Sequence, residues 1–505
     1  MSVTMPGEQP AGPNRRPTGL DRRPTGPSLR GVGEVLDGRR LGQGVLALLV
    51  LAWVWVLLTG PLTWAAALLA ALVGGVLILI RPGLGLPLIA LAIPFGAFQG
   101  LSLGSGAVGA QDVLLAAVVA AWILRGLAQR KLPIRWPGFA GAGALLLATM
   151  LLSFLPATAL RPALKELVKW GELWLAAVLV LNLCDRTDIL LLVGGLLLAG
   201  AAQGLLGLYQ FVAGVGPAAF TLMGRFMRAS GSFDQPNPFG GYLGLLLPLA
   251  VGLLLTAWPG RDDEPRVRRR KMLIWLYAAV TGALIAGGLL ASWSRGAWLG
   301  AAVALVVVLV ARGGLWLRGA LMAIAVVVLV SLAVLGRVPV PDALRERVVD
   351  FAADFTTFDV RNIEVTDANF AVVERAAHWQ AAWGMFSDHP WTGVGLGNYA
   401  QVYPKYALPR WQDPLGHAHN YYLNMAAEAG LPGLVAYLLW VVAGFWIAVR
   451  AVRVSRGVAL GIALGVLGMI VHLSVHNLVD DLYVHGMPIQ IGLMLGLAAW
   501  LVAGK

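Results

Sequence analysis

The chain has 505 residues, of which 58% are hydrophobic and 13% are charged, and its mean hydropathy is +0.75. A soluble protein of this size needs far more charged surface, so the composition excludes an ordinary soluble domain. The net charge of +12 could suggest a nucleic-acid partner, but the arginines cluster at the ends of apolar segments, as in cytoplasmic loops of membrane proteins. The single cysteine, Cys184, excludes a disulfide framework and a cysteine-based metal site.

The first forty residues are rich in Pro, Gly and Arg, and the pentapeptide RRPTG occurs twice, at 15–19 and 22–26. This composition predicts a disordered basic cytoplasmic tail. Contact of the tail with anionic lipid headgroups is a further interpretation. The first apolar run follows the tail, is long and lacks a small-residue cleavage site, so we expect no cleavable signal peptide.

Apolar runs of membrane-spanning length recur through the rest of the chain. They are continuous and do not alternate, which predicts helices and not a barrel. We therefore expect an all-α, polytopic helical membrane protein with about 12–14 transmembrane helices. The predicted spans are 42–59, 62–80, 85–99, 110–127, 138–156, 163–183, 188–212, 238–257, 272–292, 297–312, 317–336, 431–450, 457–477 and 487–503.

Loop charge predicts the orientation of these spans. If the N-terminus is cytoplasmic, basic residues fall in the even-numbered gaps, as the positive-inside rule requires, and both termini are cytoplasmic. The one long loop is then extracytoplasmic and rich in acids and aromatics, so we expect it to fold back on the bundle. The predicted domains are a tail at 1–40, an N-terminal transmembrane bundle at 41–336, the long extracytoplasmic loop at 337–430 and C-terminal transmembrane helices at 431–505.

The end of the long loop, GHAHNYYLNMAAEAGLPG at 416–433, contains two histidines. A neutral histidine is a suitable general base near neutral pH, and we expect His419 to take this role with His417 beside it. Asn420 and Glu428 are polar neighbours that could orient the imidazole. An ordinary pair of interfacial histidines is the structural alternative.

A metal site is another interpretation of the same segment. It would combine His417 and His419 with His378 or His389. Two histidines two residues apart are common, and acids at ligand spacing do not accompany them, so we expect no metal and no other cofactor.

Two further outer segments carry arginines. SWSRGAWLG at 292–300 places Arg295 between two spans, where a cation is costly unless it has a partner. RFMRASGSFDQPNPFGGYL at 225–243 supplies Arg225 and Arg228. Because guanidinium groups bind phosphate oxygens in paired geometry, these three residues could hold a diphosphate. Snorkelling of Arg295 to the headgroups, and an ordinary turn at 225–243, are the structural alternatives.

Two segments could line the same outer cavity. In RPALKELVKWGELWL, residues 161–175, helical spacing puts Lys169 on a charged face, where Glu166 can pair with it. In HNLVDDLYVHG, residues 476–486, Asp480 lies among several ionisable side chains, which usually line polar cavities at such depth. An interfacial amphipathic turn is an equally good interpretation of the first segment.

Four patterns together resemble a known family. His419-Asn420, nine residues, Gly430, two residues and Gly433 resemble the signature of the O-antigen ligases. The turn from Arg228 to Asn237, the Ser-Arg-Gly turn around Arg295 and the loop segment ERAAHWQAAWGMFSDHPWTGVGLGNY, which contains Arg375, are also similar to that family. The resemblance covers roughly residues 160 to 485, and the earlier residues contribute only membrane spans.

The resemblance implies a metal-independent, inverting membrane glycosyltransferase of the GT-C type in the bacterial inner membrane, with its active site facing the periplasm. The donor would be a glycan on undecaprenyl diphosphate, and the acceptor lipid A-core or another glycan. His419 would deprotonate the acceptor hydroxyl, and Arg228, Arg295 and Arg225 would bind the diphosphate, with Arg375 and the other polar residues in support. Membrane lipids, and no nucleic acid, would be the remaining partners.

Other functions remain open. O-antigen polymerases and protein O-oligosaccharyltransferases of the same superfamily share much of the pattern, so the acceptor is not fixed. A solute transporter, such as a bicarbonate carrier, is an alternative of a different class. Transporters often contain inverted repeats with broken helices at mid-membrane. We see no repeat that relates the two halves of the sequence, and the polar groups collect at the outer edge.

Overall fold

The computed structural model describes residues 106–222, 226–315 and 369–504 without a gap and none of the first 50 residues. The described residues are 51, 53–55, 57–58, 62–98, 101–103, 106–222, 226–315, 317–319, 321–322, 324, 359–361, 363–366 and 369–504. The predicted tail, most of the spans at 42–59 and 317–336, the first part of the long loop and Arg225 therefore lie outside the described residues. From residue 74 onward the chain forms one compact unit, and the description of packing below concerns that unit.

The described chain is built of helices. In chain order they are α1 (Leu62–Ile80), α2 (Gly85–Ala92), α3 (Ala110–Ala128), α4 (Ala140–Leu152), α5 (Leu160–Leu183), α6 (Arg186–Ala213), α7 (Pro236–Thr256), α8 (Pro265–Ala291), α9 (Arg295–Arg312), α10 (Phe370–Asp388), α11 (Tyr399–Val402), α12 (Tyr421–Val454), α13 (Gly457–His476) and α14 (Met487–Val502). Two short antiparallel hairpins are formed by β1 (Leu101–Leu103) with β2 (Gly106–Val108) and by β3 (Thr221–Leu222) with β4 (Phe226–Met227).

Seven of the described helices are long and apolar enough to cross a membrane, namely α3, α6, α7, α8, α9, α12 and α13. Shorter apolar helices accompany them, among them α4 and α14. The expectation of an all-α, multi-pass membrane protein is confirmed. The total of 12–14 transmembrane helices stays a prediction, because two of the predicted spans lie largely outside the described residues.

Local sequence signals set the helix ends. Asp185 caps α6, because its carboxylate accepts the backbone N–H groups of Thr187 and Asp188. The same helix ends at Gly214, whose φ of 66° is the left-handed conformation that stops a helix. Helix α7 begins with Pro236 at its first position, where the missing N–H costs nothing.

Small residues let the helices approach closely. A Cβ on Gly492 of α14 would lie 2.1 Å from the carbonyl oxygen of Leu173 in α5, and one on Gly204 of α6 would lie 2.2 Å from that of Leu284 in α8. Gly252 of α7 meets α13 at the same short distance. Such backbone approach is how helices associate in lipid, where the hydrophobic effect does not drive them together.

Hydrogen bonds sort the loops into two ends of the bundle. At one end, the bonded pairs are Ala159 with Asn398, Arg228 with Ser292, and Tyr421 with Asn477. At the other end, they are Arg81 with Asp185, Arg135 with Asn182, and Arg312 with Leu255. The first group comprises loops that charge places outside and the second comprises loops that it places inside. This grouping of the loops agrees with the predicted order of the spans. Which end of the bundle faces the cytoplasm stays a prediction.

The long loop differs from the expectation in one respect. It contains a helix of its own, α10, and α12 begins at Tyr421, ten residues before the predicted span at 431–450. Helix α12 consists of two helical segments that meet in a kink at Gly430, where φ is 66° and ψ is −169°, and the predicted span begins with the second segment. The helical segment before the kink carries the residues that follow the two histidines.

The close approach of α5 and α14 predicts the effect of filling it. We expect Gly492→Val to lower the free energy of unfolding by about 1–3 kcal/mol, because its side chain would overlap the α5 backbone and the helices would have to separate. The measurement is the midpoint of thermal unfolding of the full chain in detergent.

Gly171→Ala is the matched control, since a Cβ at Gly171 of α5 meets nothing within 4 Å. It should leave the midpoint unchanged or slightly raised, because alanine favours the helix. Equal midpoints for Gly492→Val and wild type would contradict the packing of this pair.

Candidate functional site

The kink at Gly430 brings the long loop onto the start of α12. Its φ and ψ fall in a region that only glycine occupies readily. A Cβ there would lie 2.7 Å from the backbone carbon of Trp391 and 2.8 Å from the carbonyl oxygen of Pro390. The N–H of Leu431 donates to that same carbonyl at 2.7 Å. The first glycine of the sequence motif is therefore required by backbone conformation and by backbone contact together.

The two histidines precede α12 in a tight turn. His419 has a φ of 51°, a left-handed conformation that is uncommon for residues other than glycine. Its N–H donates to Nδ1 of His417 at 3.1 Å, and its carbonyl accepts the indole N–H of Trp379 at 3.3 Å. These bonds hold the strained residue in place, and such strain is frequent at functional sites.

A carboxylate from the loop between α13 and α14 faces these histidines. Oδ1 of Asp480 lies 3.7 Å from Nδ1 of His419 and 4.0 Å from Nε2 of His417, and Oδ2 lies 3.9 Å from Nε2 of His476. The same Oδ1 accepts the N–H of Asp481 at 2.9 Å. Neither ring nitrogen of His419 makes a hydrogen bond within the described part of the chain. Asp480 is therefore surrounded by three imidazoles.

The charges of this cluster follow from its surroundings. Burial raises the pKa of Asp480, but the imidazoles of His419 and His476 outweigh burial and hold that pKa well below its usual value. Burial, helped by the charge of His419, lowers the pKa of His417 to about 4. At neutral pH the cluster is therefore a carboxylate facing a neutral His417.

The position of the proton on His417 distinguishes between the two kinds of site considered from the sequence, a general base and a metal site. Because Nδ1 of His417 accepts an N–H, the proton of the neutral ring is on Nε2, which faces Asp480. The ligand atoms of His417, His419 and Asp480 lie within 4.8 Å of one another, as in a metal site. A metal ligand, however, needs a lone pair where His417 carries its proton, so this geometry favours a proton-transfer cluster.

Arg228 is fixed at the end of a tight turn. Its Nε donates to the carbonyl of Ser292 at 3.1 Å, and its terminal nitrogen donates to Oδ1 of Asn237 at 2.9 Å. Asn237 belongs to the Pro-Asn pair of the sequence pattern, and Ser292 precedes the Ser-Arg-Gly turn. The two arginine segments singled out from sequence are thus joined by direct hydrogen bonds.

Three arginines share this region. Burial, together with the positive charges of Arg375 and Arg295, lowers the pKa of Arg228 to about 10. The carboxylate of Glu374 interacts with the charges of His419 and Arg375, although burial is the main cause that raises its pKa. Glu374 and Arg375 therefore connect the arginines electrostatically with the histidine cluster.

A second connection runs through Gly296, the residue after Arg295. A Cβ on Gly296 would lie 2.7 Å from Cγ2 of Val479 and 3.8 Å from Nε2 of His476. The start of α9 thus packs against the residues that flank Asp480. An anion held by the arginines would therefore lie next to the histidine cluster.

The remaining predicted residues have other partners. Asn420 caps α12 by accepting the N–H of Leu423 at 3.0 Å, and Glu428 accepts the N–H of Tyr399 at 3.0 Å. Neither makes a hydrogen bond to the ring of His419, which Asp480 faces, and a role of these two residues in orienting that ring stays a prediction. Lys169 forms an ion pair with Glu166, as the helical spacing predicted.

Sequence reasoning missed residues that support the site. Oε1 of Gln210 accepts the N–H groups of Ser230 and Gly231, and so shapes the turn that follows Arg228. Asn398 ties the loop to the start of α5 through both atoms of its amide. The sequence could have indicated Gln210, because a glutamine stands out inside an apolar helix. It offers no comparable sign for Asn398, a single asparagine in a long polar loop.

Comparison with known proteins supports the resemblance. Residues 280–438 match a family model described as O-antigen ligase. The matched stretch contains Arg295, Arg375 and His419, while Arg228 and Asp480 lie outside it. The match confirms the resemblance to the O-antigen ligase/polymerase superfamily, whose members are membrane enzymes of glycosyltransferase type that act on lipid-linked glycans and glycan acceptors. Comparison with curated proteins gives no match.

Substitution of the kink glycine should disturb the loop more than an ordinary glycine change. We expect Gly430→Ala to lower the free energy of unfolding by about 1–3 kcal/mol, because alanine cannot adopt this φ and ψ without strain and its Cβ would contact the backbone of Trp391. Proteolysis of the loop and the midpoint of thermal unfolding measure the effect.

Gly416→Ala is the control that separates the effect of a positive φ from the effect of backbone contact. Gly416 also has a positive φ, of 87°, but a Cβ there meets nothing within 4 Å. A smaller loss for Gly416→Ala than for Gly430→Ala is expected. Equal losses would mean that backbone contact at the kink contributes nothing.

Acid should destabilise the loop through its buried histidines. Burial lowers the pKa of His378 to about 3, from an ordinary value of 6.5. A lowered pKa in the folded state means that stability is complete above pH 6.5 and is lost as the pH falls toward 4 and below. Each unit of difference between the pKa in the folded state and the pKa in the unfolded state corresponds to about 1.4 kcal/mol in the free energy of unfolding. The unfolding midpoint should therefore fall between pH 6.5 and pH 4.

His378→Gln removes one of the titrating groups and should flatten this decline relative to wild type. His389→Gln is the control, because His389 is exposed at the end of α10. Parallel pH curves for wild type and His378→Gln would show that protonation of this ring is not what destabilises the fold.

Proposed function

We propose that the protein is an O-antigen ligase-like glycosyltransferase that moves a glycan from undecaprenyl diphosphate to an acceptor hydroxyl at the outer face of the bacterial inner membrane. The observation that carries the proposal is the arrangement of His419. Its Nδ1 faces the Asp480 carboxylate at 3.7 Å, and its ring nitrogens make no hydrogen bond in the described structure. The charge of Arg375 acts on both Arg228 and Glu374, and Glu374 in turn interacts with the charge of His419.

The base is Nε2 of His419. A carboxylate facing Nδ1 favours the tautomer with the proton on that nitrogen, which leaves the lone pair on Nε2. The separation of 3.7 Å exceeds a hydrogen bond, and catalytic hydrogen bonds often shorten only when substrate binds. Nε2 takes the proton of the acceptor hydroxyl as its oxygen attacks the anomeric carbon, and the Asp480 carboxylate stabilises the imidazolium that forms.

The leaving group is the lipid diphosphate. Arg228 is fixed by Asn237 and the Ser292 carbonyl, so its guanidinium is held in place before substrate binds. With Arg295 and Arg375 it neutralises the charge that develops on the diphosphate as the glycosidic bond breaks. Attack from the opposite side inverts the configuration at the anomeric carbon. In this scheme the arginines supply the charge that a divalent cation supplies in many soluble transferases.

The acceptor divides the proposal into three cases. A ligase uses lipid A-core, a polymerase uses a second lipid-linked glycan, and a protein O-oligosaccharyltransferase uses a protein hydroxyl. All three need the same base and the same cationic site. A solute transporter would instead be expected to bind its substrate near the middle of the membrane, whereas this cluster lies where loops meet at one end of the bundle.

Removal of the base should abolish transfer without unfolding the protein. We expect His419→Asn to reduce the transfer rate by about 10²–10⁴-fold, because general base catalysis typically contributes this factor. Asparagine tolerates the left-handed φ of position 419 better than alanine does, so the fold should persist. The measurement is transfer by purified protein in lipid, from undecaprenyl-diphosphate glycan to each acceptor in turn, with EDTA present.

His389→Asn is the matched control, since it changes an exposed histidine of the same loop, and it should transfer at the wild-type rate. The acceptor that is used identifies the subclass. Equal transfer by His419→Asn and wild type would overturn the role of the base. Failure of wild type on every acceptor would overturn the proposed function.

A further inference from the structure

A cavity lies at the end of the bundle opposite to the histidine cluster. Its volume is about 250 Å³, and its walls come from the loop before α4 and from the final parts of α5, α12 and α14. Arg135 in that loop and Arg450 near the end of α12 line the cavity, and both are exposed. Among the described residues that line it, none is acidic. The cavity is therefore a cationic site that the proposed transfer reaction does not use.

The main chain of Arg135 is fixed on α5. Its N–H donates to Oδ1 of Asn182 at 2.8 Å, and its carbonyl accepts the amide N–H of Asn182 at 2.9 Å. The same amide donates to the carbonyl of Val178 at 2.8 Å. These bonds hold the loop through its backbone and leave the guanidinium of Arg135 out of the arrangement. In the described part of the chain, that guanidinium forms no ion pair with a carboxylate.

The side chain of Arg450 is positioned by an aromatic ring. Its guanidinium carbon lies 4.8 Å from the centroid of the Trp446 ring, which is a cation–π contact. Trp446 in turn lies against the loop, because a Cβ on Gly138 would be only 3.0 Å from Cζ3 of its ring. The loop that carries Arg135 and the ring that supports Arg450 are thus in contact. Both arginines are attached to a common frame before a ligand binds, which lowers the entropic cost of binding.

An apolar surface leads from the cavity along α12. Val442 and Trp446 are 62% and 46% exposed, and with Arg450 they follow four-residue spacing on one face of the helix. Trp136, which is 64% exposed, also lines the cavity, and tryptophan is enriched where a membrane meets water. Apolar side chains complete the wall, namely Leu181, Ile447 and Val502. An anion held by the two arginines would therefore have a continuous apolar surface beside it.

We propose that this cavity binds the phosphate of an anionic phospholipid, whose acyl chains lie along the exposed face of α12. Guanidinium groups bind phosphate oxygens in paired geometry, and basic pockets between membrane helices suit anionic headgroups. A zwitterionic headgroup fits less well, because its ammonium group would lie beside two cations and no described carboxylate. Free phosphate would meet the same arginines but would make no contact with the apolar face. The bound lipid would join the loop before α4 to α12.

The test counts retained lipids by native mass spectrometry of the full chain. The probes are phosphatidylglycerol and phosphatidylcholine with identical acyl chains. Wild type should retain one more molecule of phosphatidylglycerol than the double variant Arg135→Gln with Arg450→Gln, since both guanidinium groups are then lost. The variant keeps the backbone bonds of position 135 to Asn182, so the loop should stay in place. Retention of phosphatidylcholine should be the same in both proteins.

Arg453→Gln is the matched control. Arg453 is an exposed arginine three residues further along α12 that does not line the cavity. Its loss should leave the number of retained phosphatidylglycerol molecules unchanged. If the control loses as much lipid as the double variant, the positive charge of this end attracts lipid in general and the proposal is overturned. An unchanged number in the double variant would also overturn it.

A second pair of variants leaves both arginines intact. Ala503 lines the cavity and is exposed just after the end of α14, so the fold should tolerate a larger side chain there. Ala503→Glu would add a carboxylate beside the arginines and should expel phosphatidylglycerol. Ala503→Gln has nearly the same size without the charge and should retain the lipid. Retention by Ala503→Glu would overturn the proposal, even if the arginine variant does not fold.

Inorganic phosphate distinguishes the two sources of the same ligand chemistry. A tenfold molar excess of inorganic phosphate over phosphatidylglycerol should leave the lipid bound, because the apolar face of α12 contributes to lipid binding alone. Displacement of the lipid by that excess would assign the cavity to a free anion and overturn the lipid. The count requires no transfer reaction, so its outcome is independent of the proposed function.

Discussion

A carboxylate buried in a membrane protein must be compensated, and the compensation of Asp480 organises the site. An ionised carboxylate in a low-dielectric environment is costly unless donors surround it. Here His417, His419 and His476 converge on it from two separate segments of the chain. Each imidazole directs one nitrogen at the carboxylate of Asp480. In the proposed mechanism the second ring nitrogen of His419 accepts the proton of the acceptor hydroxyl. The requirement to stabilise one charge thus also fixes the tautomer of the proposed base.

This arrangement depends on backbone features that bring the segments together. The kink at Gly430 lets the loop pass over the start of α12, and the N–H of Tyr421 donates to the carbonyl of Asn477 at 2.8 Å. The side chain of Asn477 in turn accepts the N–H of Leu482 at 3.1 Å and holds the loop that carries Asp480. The histidine turn and the Asp480 loop are therefore fixed to one another through Asn477, without help from His419 or Asp480.

The sequence was informative where a signal is local. Apolar length located most of the described helices to within a few residues, and the spacing around His419 and Arg228 identified two segments that the fold places at one end. It failed where the partner lies far along the chain. Asn420 and Glu428 are near His419 in sequence, but an asparagine before a helix caps it, and Asp480 takes the place beside the ring. The predicted span at 431–450 begins where the helical segment after the kink at Gly430 begins, but hydrophobicity gives no sign of the short helical segment before the kink.

The described loops meet at two ends of the bundle, and the proposed transferase would act at the end that holds His419 and Arg228. If apolar helix surfaces face hydrocarbon, a lipid-linked substrate of the proposed transferase would reach the site laterally from the bilayer. Arginines at the end of the bundle then need to bind only the diphosphate. Arg228 and Arg295 would bind it from two segments that the hydrogen bond from Arg228 to the carbonyl of Ser292 joins. The glycan would extend toward the histidine cluster, where the long loop supplies the base.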